Sequence, residues 1–188
     1  MLHFPIDLDT KELVSEFWNI YNQDSNVFTY RNGIDMAFEN SAWGNTQWYD
    51  LPNEMVDKPN LEQHHALGEL FNDWVSDRFK LLPVHVLLNK VRSGYDVKPH
   101  VDGGLRTTIV FVYFGLDNFR PTTHHVDGNE YELPYHPVVA FNGTVTHSTP
   151  KVDFDRLILN LPYDMDIEDL YDQHIQGNLI NSKYEVEK

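Results

Sequence analysis

The chain has 188 residues, enough for one buried core and too few for two ordinary domains, so one domain over 1–188 is expected. Asp and Glu number 29 against 14 Lys and Arg, a formal net charge of -15 that repels a phosphate backbone and makes nucleic acid a disfavoured partner. Cysteine is absent, which excludes disulfides, thiolate catalysis and Cys-ligated zinc or iron–sulfur centres and leaves His, Asp and Glu as the strong metal ligands. With 41% hydrophobic and 13% aromatic residues the composition is that of a folded, turn-rich protein rather than a disordered tail. No run of about 18 apolar residues occurs, and Met1 to Val14 lacks a basic segment followed by an apolar one. A soluble, cytoplasmic protein with no membrane partner is the expectation.

In chain order, Asp9 followed by Glu12 gives a capping-box pattern, and Leu13, Phe17 and Ile20 or Tyr21 recur at helical spacing, which predicts an amphipathic helix over 10–22. From Asn26 to Asp57 aromatics alternate with turn residues, and runs such as Val27 to Tyr30 and Gln47 to Asp50 read as short strands and loops. Asn60 can cap a second helix over about 61–80, with Leu67, Leu70, Phe71, Trp74 and Val75 in one stripe and Pro83 closing it. Residues 1–83 thus form a mixed, partly helical support.

Beyond Pro83 the pattern changes to period two. Candidate strands lie at 84–92, 97–102, 107–115, 121–126, 130–133, 138–141, 144–148 and 156–162, and eight short strands in so little chain mean an antiparallel sandwich or barrel over 84–163. Asn142-Gly143 suits the positive φ angles of a two-residue hairpin turn and is expected to join the runs on either side of it. The run from Val126 to Tyr131 around Asp127-Gly128 reads as a plain surface hairpin, with a lid over the pocket as the alternative. In the last strand Leu157, Leu159 and Leu161 share a face opposite Arg156, Ile158 and Asn160, so the sheet has an apolar face that the two N-terminal helices are expected to cover. The tail, 164–188, is acidic and polar and receives no assignment.

His100 and Asp102 stand two apart at the end of a strand-like run and so point to the same side. His147 on a neighbouring strand supplies a third ligand, giving two His and one carboxylate on one face of a metal, the set that leaves positions open on Fe(II). Nine residues on, Arg156 offers a planar fork that holds a carboxylate in bidentate fashion. A lone histidine in a half-buried strand is more often a hydrogen-bonded structural residue than a ligand, and a surface charge is the alternative for Arg156; the set points to chemistry.

His-x-Asp, a later His and an Arg about ten further on resemble the signature of 2-oxoglutarate-dependent Fe(II) oxygenases with the double-stranded β-helix (jelly-roll, cupin-like) fold. The likeness runs from Asn89 to Pro162, and the stretches Ser93 to Gly104 and Phe141 to Ser148 resemble members that hydroxylate prolyl, aspartyl or amino-acid substrates. The resemblance implies a mainly β fold with helices packed on one sheet, iron held by His100, Asp102 and His147, and a keto acid whose remote carboxylate pairs with Arg156. It implies turnover of 2-oxoglutarate and O2 to succinate and CO2, with ascorbate as reductant in vitro and a small molecule or peptide as substrate. Asn89 stands where several relatives have an Asn contacting the keto acid; its alternative is a backbone partner at a strand bulge. Two positions depart from the pattern: the tyrosine often found two after that Asn is Val91, and the hydroxyl residue often found two after the Arg is Ile158. Arg106 resembles a basic residue near the site of aspartyl-hydroxylase-like members, and Tyr95 is a candidate substrate contact.

The rival readings are a cupin-like protein that holds a metal without turnover and a nucleic-acid demethylase, the latter opposed by the net charge. His64-His65 and His124-His125 have no ligand partner at a convincing spacing and are expected to be solvated or near the substrate. Trp43, Trp48 and Tyr49 read as core aromatics in preference to a cleft lining.

Overall fold

The computed structural model describes residues 1–28, 30–32, 34–41, 46–47, 60–102 and 107–184, of which 30–32, 34–41 and 46–47 are described by backbone alone. The first helix, α1, spans Lys11–Tyr21, with Leu13 and Phe17 buried. Its N-cap is Thr10 rather than Asp9, without a side-chain cap; the Asp9 carboxylate instead accepts from the Lys11 amide, and Glu12 turns outward to Arg78. Helix α2, Leu61–Arg78, starts as expected, the Asn60 side chain accepting from the Glu62 amide. It ends at Arg78, before Pro83, because Phe79 leaves in an extended conformation to bridge Ile180.

The described residues form twelve strands, in chain order β1 His3–Pro5, β2 Tyr30–Asn32, β3 Ile34–Ser41, β4 Thr46–Gln47, β5 Val86–Val91, β6 Val97–His100, β7 Thr108–Tyr113, β8 Thr123–Val126, β9 Asn129–Glu132, β10 Val138–Asn142, β11 His147–Thr149 and β12 Arg156–Tyr163. The eight from β5 to β12 correspond to the eight expected from period two. The larger sheet runs β1-β10-β7-β12-β5-β3-β2, with β4 against β3, and the smaller runs β6-β11-β8-β9. Every pairing is antiparallel. From β5 onward the chain alternates between the sheets, crossing from one to the other everywhere except between β8 and β9.

That alternation corrects the expected hairpin at Asn142-Gly143. Strands β10 and β11 lie in different sheets, and Gly143 has no positive φ. The Asn142 side chain stabilises a different turn by accepting from the Thr144 amide and hydroxyl at 3.0 and 2.8 Å, and this turn carries the chain across. The two-residue hairpin sits instead at Asp127-Gly128, with φ of 51° and 78°, joining β8 to β9 with Val126 opposite Asn129.

The larger sheet has two different faces. Leu157, Leu159 and Leu161 of β12, Val110 and Val112 of β7 and Val86 and Leu88 of β5 pack against Leu13, Phe17, Leu67, Phe71, Trp74 and Val75 of the two helices. The helices therefore cover the leucine face, each fully buried side chain contributing roughly 1.5–3 kcal/mol. The acidic tail is ordered too: α3, Ile167–Ile175, buries Ile167 and Leu170, and Leu179 and Ile180 join the same core. The other face looks toward the smaller sheet across a second, smaller cluster of Ile109, Phe111, Tyr113, Leu133, Val139, Phe141 and Ile158. No described helix is long and apolar enough to cross a membrane.

Candidate active site

Of the candidate residues, His100, Asp102 and His147 come together where β6 pairs with β11. His100 ends β6 and His147 begins β11, directly opposite each other in the pairing. Asp102, just past β6, is held there by its amide, which donates to the Gly143 carbonyl at 2.9 Å; the turn that replaces the expected hairpin thus sets the third member of the cluster. The Asp102 carboxylate lies 3.9 Å from His100 Nε2 and 3.5 Å from His147 Nε2, and one ligand atom from each residue falls within 4.8 Å of the others. In both histidines Nδ1 faces the carbonyl two residues back, Lys98 at 2.8 Å and Val145 at 2.9 Å. A carbonyl only accepts, so Nδ1 carries the proton and the Nε2 lone pair turns toward Asp102, the tautomer a metal ligand needs. Burial holds His147 below the usual imidazole range, against the opposing pull of the Val145 bond and Asp102, which favours its neutral form.

Arg156 is 4% exposed and therefore not a surface charge. Its Nη1 donates to Thr149 Oγ1 at 2.9 Å, its Nε has no partner, and no carboxylate among the described residues pairs with it. Thr149 stands two residues beyond His147 on β11, on the same face and about 6–7 Å along the strand, so the guanidinium lies on the same side of the smaller sheet as the cluster. Burial lowers the Arg156 pKa, and the nearby Tyr113 opposes that. The Tyr113 hydroxyl is pushed up to about 12 by burial and is also without a partner.

Asn89 on β5 lies opposite Ile158 and therefore on the Arg156 side of the sheet. Its Oδ1 is buried and unpartnered, so it does not satisfy the backbone of a bulge; Asn160 Oδ1 is in the same condition. Val91 lies directly across from Arg156, and Ile158 directly across from Tyr113. A hydroxyl stands beside Ile158 at Tyr113 on the neighbouring strand, and the hydroxyl that meets Arg156 comes from Thr149 in the smaller sheet. Period two could have found Thr149, which shares a face with His147. Tyr113 was hidden at the end of the all-apolar run of β7.

Tyr95 is 38% exposed in the turn between β5 and β6, and His100 is exposed as well, whereas His147 is buried and Asp102 half-buried. Arg106, with Gly103 and Gly104, lies outside the described residues, as do Trp43, Trp48 and Tyr49. The histidine pairs are not solvated as pairs. His64 is buried with Nδ1 donating to the Val27 carbonyl at 2.6 Å, and His124 is fully buried beside the cluster, directly opposite His147, because alternation along β8 turns it inward. Burial brings the His124 pKa down to about 4.

No protein-family model matches the chain, and no curated protein matches it. Among solved structures it is similar to an oxidoreductase of the 2OG-Fe(II) oxygenase family from Burkholderia pseudomallei, at 11% identity over 83% of this chain and 80% of that one, with a TM-score of 0.50. It is also similar to a prolyl hydroxylase in complex with a hypoxia inducible factor oxygen degradation domain peptide fragment from Trichoplax adhaerens, at 12% identity over 86% of this chain and 81% of that one, with a TM-score of 0.51. At such identities the likeness is one of fold, and the antiparallel, mainly β architecture described above is the fold of these 2OG-Fe(II) oxygenase structures.

Proposed function

We propose that the chain is an Fe(II)- and 2-oxoglutarate-dependent dioxygenase of the double-stranded β-helix class that hydroxylates a prolyl, aspartyl or asparaginyl, or free amino-acid substrate. The observation that carries this reading is the buried, acid-free Arg156. An isolated cation in a protein interior is costly, and removing a counter-charge from such a site costs several kcal/mol, on the order of 3–5. A chamber that keeps Arg156 dry, with the Tyr113 hydroxyl and Arg156 Nε unpartnered, fits an anionic ligand that brings its own carboxylate. A protein that merely stored a metal would have no use for that anchor.

The donor set fits iron: two imidazoles and one carboxylate converge, and among the described residues no further His, Asp or Glu joins them, which leaves the directions that a centre taking a keto acid and O2 requires. When bound, Fe(II) with these co-substrates supplies the oxidising power for hydroxylation of a C–H bond, with succinate and CO2 released. The chain's own residues do the rest. His100, Asp102 and His147 hold the metal, and Arg156, Thr149 and Tyr113 fix the remote carboxylate, with the amide of Asn89 beside them. The apolar wall of Phe111, Phe141 and Ile158 limits the access of water. The likeness to a prolyl hydroxylase seated on a peptide supports a peptide as one of the substrate classes.

The test is succinate formation from 2-oxoglutarate in the presence of Fe(II), O2 and ascorbate, together with the anaerobic Fe(II)–keto acid absorption band. Wild type is expected to show both, and His100→Ala neither. Absence of turnover and of the band in the wild-type protein would remove the enzyme reading.

A further inference from the structure

His124 is fully buried, yet neither reading of a buried histidine accounts for it. It is not a fourth ligand, because among the described residues the ligand atoms that converge belong to His100, Asp102 and His147. It is not a filler, because its Nδ1 is buried without a partner, a cost that no apolar side chain would carry. What it does hold is an orientation. Its Nε2 is 3.1 Å from the carbonyl of Asn142, the residue that opens the turn into β11, so Nε2 carries the proton and the bond ties β8 to that turn. Its ring lies flat on Phe141, with centroids 4.4 Å apart and planes at 21°. Phe141 stands at 89° to His147 with centroids 4.7 Å apart, and His124 itself meets His147 at 69° and 6.3 Å.

We propose that His124 is a positioning residue for the metal centre: its ring, fixed by the Asn142 carbonyl and backed by Phe141, forms one wall of a corner that sets the plane of the ligand His147. The other restraints on that plane are the bond from His147 Nδ1 to Val145 and the ring of His100, with centroids 4.3 Å apart and planes at 57°. One hydrogen bond leaves a ring free to swing about its own axis, and two rings on the far side stop the swing. Hydrogen-bonded partners of a ligating histidine typically carry about 10- to 100-fold in metal affinity, and a ring wall that restrains the same imidazole is expected at the lower end of that range. The inference rests on the metal reading of His100, Asp102 and His147.

The test is titration of the intact, metal-free chain with Co(II) alone, reading both Kd and the d–d absorption band. His124→Leu, which has neither the flat ring nor the N–H, is expected to bind about tenfold more weakly and to shift the band. His124→Phe, which restores the flat wall, is expected to recover part of that loss, whereas a role limited to hydrogen bonding or packing would leave Phe and Leu alike in Co(II) affinity. Binding by His124→Leu within about twofold of wild type with an unchanged band, or equal losses in the two variants, overturns the proposal while the metal reading stands. Failure of the wild-type chain to bind Co(II) in a His100-dependent manner overturns the metal reading and this inference with it.

Discussion

Strand β12 touches two environments with alternate residues. Leu157, Leu159 and Leu161 pack into a dry layer under α1 and α2, whereas Arg156, Ile158 and Asn160 look toward the smaller sheet, where Arg156 Nε and Asn160 Oδ1 find no partner. The polar groups of the chamber face (Asn89, Arg156, Asn160 and Tyr113) share strands with fully buried apolar residues of the core. One face provides the stability that the other, with its unsatisfied groups, gives up. The chamber face departs from the usual rule that buried polar groups are paired, and on the proposed reading the co-substrate supplies the missing partners.

The largest test of that division is Leu159→Ala. The side chain is fully buried in the helix-covered face, and its truncation is expected to cost about 3 kcal/mol in unfolding free energy by urea denaturation. Co(II) affinity of the folded fraction should not change. A large drop in metal affinity at a temperature where the variant is still folded would show that the two faces are coupled rather than separate.

Arg156→Met is the converse. Replacing an unpaired buried cation by an apolar side chain of similar length should leave stability unchanged or raise it by about 1 kcal/mol. Keto-acid affinity should fall by about 100-fold, equivalent to about 2.7 kcal/mol, with Co(II) affinity intact. Anaerobic titration of the Fe(II) band and a urea transition measure the two effects on one protein. If the variant loses stability and keeps its keto-acid affinity, Arg156 belongs to the scaffold.

The sequence displayed the chamber better than the scaffold that supports it. His100 and Asp102 could be grouped because period two puts them on one face, and His147 and Arg156 joined them through the resemblance to the oxygenase signature. Pairing itself was not local, and this defeated the Asn142-Gly143 expectation: the dipeptide favours a hairpin, but β10 and β11 find their partners on other strands, and the Asn142 side chain can close an alternative turn. Strand β3 was legible in Ile34, Met36 and Phe38 alternating with Asp35, Ala37 and Glu39, and was lost among turn residues on either side. In α3, Ile167, Leu170 and Tyr171 recur at helical spacing behind Asp166, and the acidic residues between them masked the stripe. His124 had no sequence signal apart from its place in β8, since its partners, Asn142 and Phe141, come from another sheet.

The smallest expected effect tests whether the helix-covered side is as dry as its leucines suggest, for α2 carries one buried imidazole there. His64 donates from Nδ1 to the Val27 carbonyl, and burial lowers its pKa; the hydrogen bond opposes that shift and the neighbouring His65 adds to it. A histidine whose folded pKa lies below its unfolded value of about 6.5 binds fewer protons folded than unfolded as the solution is acidified through that range. Its contribution is therefore complete above pH about 6.5 and declines as pH falls toward the lowered folded value. His64→Gln, which keeps a donor for Val27 but cannot titrate, is expected to flatten the loss of stability between about pH 7 and pH 5 in urea titrations of the metal-free chain. The His100, Asp102 and His147 cluster on the far side of the sheet should not respond, and its Co(II) affinity at neutral pH should equal that of wild type. An unchanged acid slope would mean that His64 takes up its proton without leaving its place under Val27, and that the helical layer tolerates charge that the comparison assigns only to the chamber.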